Sequence, residues 1–340
     1  MASVGEADRR PVMLFHRQFN EVRGMTRISG GHLKVWHYFE HVETSTQFRP
    51  LLKTADRPLA ADNPWSAVPD AVVGRFARVR PAAYFLAGTD WEQLPRRRRA
   101  NPGRPVVNLI QHVRHGNESD RRRPFLHYPA VRICVGPEVA ASITATGAVR
   151  GPVLTIPNGT DVAVDLSRRA ADRDIDIIVV GNKRPQVTRD IAARLARPGR
   201  RIHAVDGYVL RPEFLDVLSR ARLAVFIPRH DEGFYLPALE AMALGTLVVC
   251  PDSVGNRSFC IDGETCWLPP YDFDAIVART EEALLVDDTV TDRMRRRAAD
   301  VVRDHDMAGE RRAFLDVLAH LPELWAEAVA SSPGPAGAGD

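Results

Sequence analysis

The sequence predicts an α/β protein built as two parallel-sheet, Rossmann-like halves. Three observations point there. Short apolar runs rich in Val, Ile and Leu alternate with helical patterns along the chain, as in repeated strand–helix units. Those runs are continuously apolar, the mark of strands buried on both faces. The alternation also pauses around 151–174, a turn followed by a charged stretch, and then restarts. At 340 residues the chain suits roughly two domains.

The elements follow in order. Residues 11–16 (PVMLFH) form a first strand, a glycine-containing loop covers Asn20 to Gly31, and Leu33 to Val42 has helical periodicity. Phe48 to Thr54 and Ala82 to Leu86 are strands, the second ending at Gly88-Thr89-Asp90-Trp91. Arg96 to Arg99 is a solvated loop. Pro105 to Ile110 and Val131 to Val135 are strands, with a helix over Glu138 to Thr146. In the second half, strands fall at 175–180, 201–205, 222–227 and 246–250. Helices fall at 187–196, 212–221, 236–244, 274–286, 293–302 and 312–328. The tail SSPGPAGAGD has a disordered composition.

Composition narrows the function. A net charge of +3 does not argue for nucleic-acid binding. Lys occurs only at 34, 53 and 183, so nearly all positive charge is Arg, as high-GC bacterial coding gives. Cys134, Cys250, Cys260 and Cys266 form no CxxC pair and are expected as reduced thiols. The N-terminus has no signal-peptide apolar region and no apolar run could span a membrane. A cytoplasmic protein is expected.

The chemistry concentrates in Asp231–Gly245, DEGFYLPALEAMALG. A buried strand ends at Pro228, a loop carries Glu232, and a helix with Pro237 in its first turn carries Glu240. Ligands of open α/β sheets bind at the carboxyl ends of strands, where this loop lies. Lys183 and Arg184 follow the strand over 175–180 and Gly181-Asn182. A diphosphate needs such cations and free backbone amides, and a sugar diol is well held by a carboxylate. A cleft between the halves would bring together the Gly30-Gly31 loop, Lys183-Arg184 and the Glu232–Glu240 segment. Taken singly, each feature has a plainer account: a turn, a surface lysine, a solvated glutamate.

On these residues the chain resembles the retaining GT-B glycosyltransferases of family 4, the group 1 glycosyltransferases, in an actinobacterial type. DEGFYLPALEAMALGTLVV resembles their E-x7-E signature, and Ile156 to Asp161 (IPNGTD) their inter-domain stretch. Ile261-Asp262-Gly263 through Leu268-Pro269-Pro270-Tyr271-Asp272 resembles a further segment, and Ser29-Gly30-Gly31-His32 their N-terminal glycine loop. Residues 151–290 match specifically; the first half matches only in outline.

The resemblance implies a leader over 1–10, an acceptor domain over 11–160, a nucleotide-sugar domain over 161–310, a helix crossing back over 311–330 and a disordered tail over 331–340. It implies that Glu240 binds the ribose and Glu232 the donor sugar. Phe234, Tyr235 and Leu236 would offer backbone amides. Lys183 and Arg184 would hold the diphosphate, with Gly181 beneath them and Gly30 and Gly31 closing from the other domain. His112 matches the cleft histidine, with His115 a rival, and Tyr208 lies near the base. Trp65, Asp90, Trp91, Arg114 and His115 are candidates for the acceptor site. Two departures stand out: Tyr235 replaces a customary Gly, and the phosphate-binding pair is compressed to Lys183-Arg184, with Arg189 as a substitute.

The implied reaction is transfer of a sugar from a UDP-, GDP- or dTDP-sugar to an acceptor hydroxyl of a small molecule or glycoside. Configuration is retained, and neither metal nor cofactor takes part. A nucleotide-sugar epimerase or hydrolase, with Asp62 and Asp90 as extra carboxylates, a silent nucleotide-binding pseudo-transferase and a homodimer stay open. An NAD-dependent oxidoreductase is weakest, because no GxGxxG follows a strand.

Overall fold

The computed structural model describes residues 8–17, 19, 21–22, 25–26, 28–54, 59–61, 63–68 and 80–331. Asp62, Gly24, the first part of the expected leader (1–7) and most of the expected tail (332–340) lie outside them. The chain divides into two compact units, Met1–Pro157 with Glu310–Asp340, and Asn158–Gly309.

The first unit holds a six-stranded parallel sheet. Its strands are β1 (Val12–His16), β4 (Arg49–Lys53), β5 (Ala83–Ala87), β6 (Val106–Ile110), β7 (Val131–Cys134) and β8 (Val153–Thr155), in the order β4-β1-β5-β6-β7-β8. Between β1 and β4 lie a short antiparallel pair, β2 (Glu21–Val22) and β3 (Met25–Thr26), and helix α1 (Gly30–Glu43). Because β1 has neighbours on both sides, the winding reverses between β1 and β5. One sheet face packs aromatic rings against α1: Phe15 stacks on Phe85 at 4.6 Å and meets Phe39 edge-on at 5.2 Å. The other face buries Leu14, Tyr84, Leu86 and Val106 with Trp91 and Phe125.

The second unit has four parallel strands, β9 (Ile175–Val180), β10 (Ile202–Val205), β11 (Ala221–Phe226) and β12 (Leu247–Val249), in the order β10-β9-β11-β12. Helices α4 (Pro185–Leu195) and α7 (Phe273–Ala283) bury Ile191, Leu195, Ile276 and Val277 against Ile177, Val179, Leu223 and Val225. Helices α5 (Arg211–Arg220), α6 (Leu236–Ala243) and α8 (Asp288–Asp304) cover the opposite side chains, Ile178, Val180, Ala224 and Phe226. The central strands β9 and β11 are covered on both faces, which is why they are apolar without alternation, whereas the edge strand β10 leaves His203 and Ala204 exposed.

Three local expectations change. Arg96–Arg99 is not a loop: it opens the short helix α2 (Arg96–Ala100), with Arg96, Arg97 and Arg98 exposed and Arg99 half-buried. Arg99 steadies it by donating from Nε to Leu94 O at 2.8 Å. Gly30 and Gly31 form the first turn of α1 rather than a loop. The expected helix over 312–328 is two, α9 (Met307–Ala319) and α10 (Leu321–Ala330). Pro322 lacks the amide that would continue α9, and it sits in the first turn of α10, where no amide is needed. The helix α3 (Pro137–Thr144) completes the first unit. None of the described helices is long and apolar enough to cross a membrane. All four cysteines are free and buried.

From Glu310 onward the chain belongs to the first unit, and a buried polar network fixes it there. Lys34 Nζ donates to Glu310 Oε2 at 2.5 Å, and both side chains are at most 1% exposed. His41 Nε2 lies 3.1 Å from Glu310 Oε1, and Arg311 Nε donates to His41 Nδ1 at 3.4 Å. That pattern puts the imidazole proton on Nε2. Lys34 Nζ also reaches His37 Nδ1 at 3.1 Å. Removing one partner of such a pair strands a buried charge. The E310A variant should therefore lose about 3–5 kcal/mol of stability. The K34M/E310L double variant should lose much less, and urea unfolding of both checks the difference.

Candidate functional site

The second unit's winding reverses between β9 and β11. Strand β9 is laid first, β10 pairs on one side and β11 on the other. At such a switch point the two departing loops diverge and leave a crevice. Lys183 stands on one lip, three residues past β9. Glu232 stands on the other, six residues past β11. Lys183 Nζ bridges them, reaching Glu232 Oε1 at 2.6 Å and Oε2 at 2.9 Å. The Glu232 side chain is 8% exposed and that of Lys183 50%. The carboxylate is built into the wall and the cation faces solvent. The Glu232 amide donates to Arg229 O at 3.2 Å, so a tight turn aims the side chain.

Helix starts add to the positive potential. Arg184 is the N-cap of α4, and neither α4 nor α6 has a side-chain cap or an acidic residue in its first turn. A cation beside the positive end of a helix dipole is unfavourable, and an anion there is favoured. The Arg184 guanidinium lies over the Tyr271 ring, 5.2 Å from its centroid, and the Tyr271 hydroxyl donates to Pro228 O. Arg189, the expected substitute, pairs with Asp206 at 2.5 Å.

The segment after Glu232 is shaped by a close approach. Gly255 O accepts from the Tyr235 amide at 2.8 Å, and a Cβ on Gly255 would stand 2.5 Å from the Phe234 nitrogen. Only glycine permits that contact. The Tyr235 amide is thus already engaged, contrary to the expectation that it faces a ligand. The amides of Phe234 and Leu236 have no backbone acceptor among the described residues. The rings turn inward: Tyr235 meets Phe226 at 5.7 Å, and Phe234 packs on Phe259 at 5.4 Å and His305 at 5.5 Å. Gly181 has a packing reason as well, since a Cβ there would lie 2.2 Å from Thr188 Oγ1.

Glu240, in α6, is buried and held by Arg211, the first residue of α5. Arg211 Nη2 reaches Glu240 Oε1 at 2.8 Å, and Arg211 also pairs with Asp161. Sequence reasoning did not find Arg211. A signal was available: an arginine opening a helix opposes the dipole and calls for acidic partners. Tyr208 follows β10 and is 38% exposed.

In the first unit, Gly31 meets the end of β6. Gln111 Nε2 donates to Gly31 O at 3.1 Å. Next to it, His112 Nδ1 accepts from the Arg114 amide and from Arg114 Nε, each at 3.3 Å, which leaves the proton on Nε2. His112 and Arg114 are thus brought together. The remaining acceptor candidates are structural. Trp65 is 2% exposed and packs on Phe39 at 4.8 Å. Trp91 is fully buried, 5.6 Å from the guanidinium carbon of Arg132. Arg132 in turn donates to the Phe125 and Leu126 carbonyls at 3.0 and 3.1 Å. Asp90 is buried, accepting from Arg17 at 2.7 Å and the Ala87 amide at 3.0 Å. Burial raises its pKa despite Arg17. His115 is 4% exposed, and burial, with Arg122 nearby, pushes its pKa down to about 3. These side chains are absorbed by packing and ion pairing, so they present no open surface.

Comparison with known proteins bears on this arrangement. Residues 153–285 match the family model described as Glycosyl transferases group 1. A D-inositol 3-phosphate glycosyltransferase of Corynebacterium efficiens is 28% identical over 176 residues, 50% of this chain and 40% of the relative. The chain thus spans less than half the length of that relative. A sucrose-phosphate synthase from Thermosynechococcus elongatus shares the fold, with a TM-score of 0.67 and 16% identity over 93% of this chain and 100% of the other. Anabaena HepE, solved in complex with UDP-glucose, has a TM-score of 0.67 and 13% identity over 91% of this chain and 100% of its own.

The Gly255 contact offers a test of how this loop is held. G255A should push the 233–235 segment away and cost about 1–3 kcal/mol by overpacking. Thermal melting checks it; an unchanged melting temperature would show that the segment yields freely.

Proposed function

We propose that this chain, whose residues 153–285 match the family model of the group 1 glycosyl transferases, moves a sugar from a nucleoside-diphosphate sugar to an acceptor hydroxyl with retention of configuration and without a metal. The observation that carries this reading is the Lys183–Glu232 pair on the two lips of the β9/β11 switch point. Lys183 and Arg184 bind the diphosphate, beside the start of α6. As the bond to the sugar breaks, negative charge grows on the leaving diphosphate. Fixed cations and helix dipoles stabilise it, each well-placed donor contributing about 3–4 kcal/mol in a dry site. When Lys183 turns to the diphosphate, Glu232 is released to accept hydrogen bonds from the donor sugar. Glu240 binds the ribose hydroxyls. The diphosphate oxygen takes the acceptor proton on the face from which it leaves, which retains the anomeric configuration. The acceptor is a small polar molecule or glycoside.

The test is direct. A panel of UDP-, GDP-, dTDP- and ADP-sugars should include one that raises the melting temperature, because about 100-fold excess over Kd adds roughly 2.7 kcal/mol to the folded state. With that donor, K183A and E232A should each lower transfer about 10²–10³-fold. The product's anomeric NMR coupling should match the donor's, and excess EDTA should leave the rate unchanged. Intact transfer by K183A, an inverted product or a strict Mg²⁺ requirement would each overturn the corresponding part.

A further inference from the structure

The contact between Arg211 and Glu240 has a geometry that stability alone does not explain. Arg211 reaches Glu240 with Nε at 3.2 Å and Nη2 at 2.8 Å, and both bonds fall on Oε1. A purely structural guanidinium–carboxylate pair gains most from the two-pronged arrangement across both oxygens. Here the fork is turned. Its other edge takes Asp161, with Nη1 at 3.2 Å from Oδ2 and Nη2 against Oδ1. Glu240 lies in a helix whose neighbouring side chains, Leu239, Ala241, Met242 and Ala243, are at most 1% exposed. A carboxylate in that setting needs firm hydrogen-bonding partners to stay ionised. Two carboxylates sharing a site would also resist joint ionisation without the cation between them. Burial works against the charge on Arg211, but Glu240 and Asp161 outweigh it and raise its pKa.

We propose that Arg211 is a positioning residue that pins Glu240 Oε1, sets the plane of the carboxylate for a vicinal diol, and so makes donor affinity depend on the nucleoside 2′-hydroxyl. This rests on the assignment of Glu240 to the ribose. A ribose offers two adjacent hydroxyls, and a carboxylate accepts both only when its plane is fixed against them. Lysine cannot replace the arginine, because an ammonium carries the charge without the rigid fork.

The experiment measures binding of UDP and 2′-deoxy-UDP by calorimetry on the full chain, or the guanosine pair if the donor panel selects GDP. It compares the unmodified protein, R211K, and the charge-balanced R211Q/D161N, each with its melting curve. The unmodified protein should prefer the ribonucleotide about tenfold or more, the weight of one hydrogen bond to a charged group. Both variants should weaken ribonucleotide binding about tenfold and change deoxyribonucleotide binding less than about twofold, so that the preference falls towards one. Equal weakening of both ligands would mark Arg211 as merely structural and overturn the proposal. So would a preference that survives in either folded variant. An unmodified protein that binds no nucleoside diphosphate would instead overturn the donor-site reading itself.

Discussion

The second unit depends on one constraint of parallel sheets: each strand must be reached by a crossover, and crossovers keep one hand. Strand β9 is laid first and ends in the interior of the sheet. The chain then crosses by α4 to β10 on one side, and returns by α5 to β11 on the other. The two helices consequently lie on opposite faces, with Leu195 of α4 in one core cluster and Leu218 of α5 in the other. The loops leaving β9 and β11 part, and Lys183 and Glu232 occupy the parted ends. Their ion pair is therefore a consequence of winding order as much as of residue type.

The first unit solves the same problem differently. Its winding reverses between β1 and β5, and an ion pair, Arg17–Asp90, again joins the two strand ends. There both side chains are below 10% exposed, and Asp90 is further bound by a backbone amide. That pair closes its switch point as part of the packed interior. In the second unit the cation is half-exposed, although the carboxylate it meets is buried. The same topology thus gives a buried ion pair in one unit and a pair with a half-exposed cation in the other.

Several groups near the second switch point are held against local preference. Arg184 and Arg211 sit at the positive ends of α4 and α5, where a carboxylate would be favourable. Each is compensated by a tertiary partner: the Tyr271 ring for Arg184, and Glu240 with Asp161 for Arg211. Such conflicts between local rule and global fold concentrate where function is the compensating gain. Elsewhere in the unit, buried cations serve structure. Arg173 is 2% exposed and donates to the Ala221 and Leu244 carbonyls at 2.7 and 2.9 Å.

The sequence alone determined the strands, because burial on both faces demands continuous Val, Ile and Leu, and 175–180 is visible as such a run. It also determined that Lys183 and Glu232 stand at strand ends, since that requires only local order. What it left undecided were relations between distant residues. Arg211 lies 29 positions from Glu240 and 50 from Asp161, and no local pattern couples them. Trp91, Asp90 and His115 stand near strand ends as binding residues do, and Trp65 stands in a connection between strands, yet the tertiary structure turns them inward. Residue type and position along the chain say where a side chain begins. Which rings, guanidiniums and carbonyls surround it depends on how the sheet winds, and that surrounding decides whether a polar or aromatic group is left for a ligand or absorbed into the core.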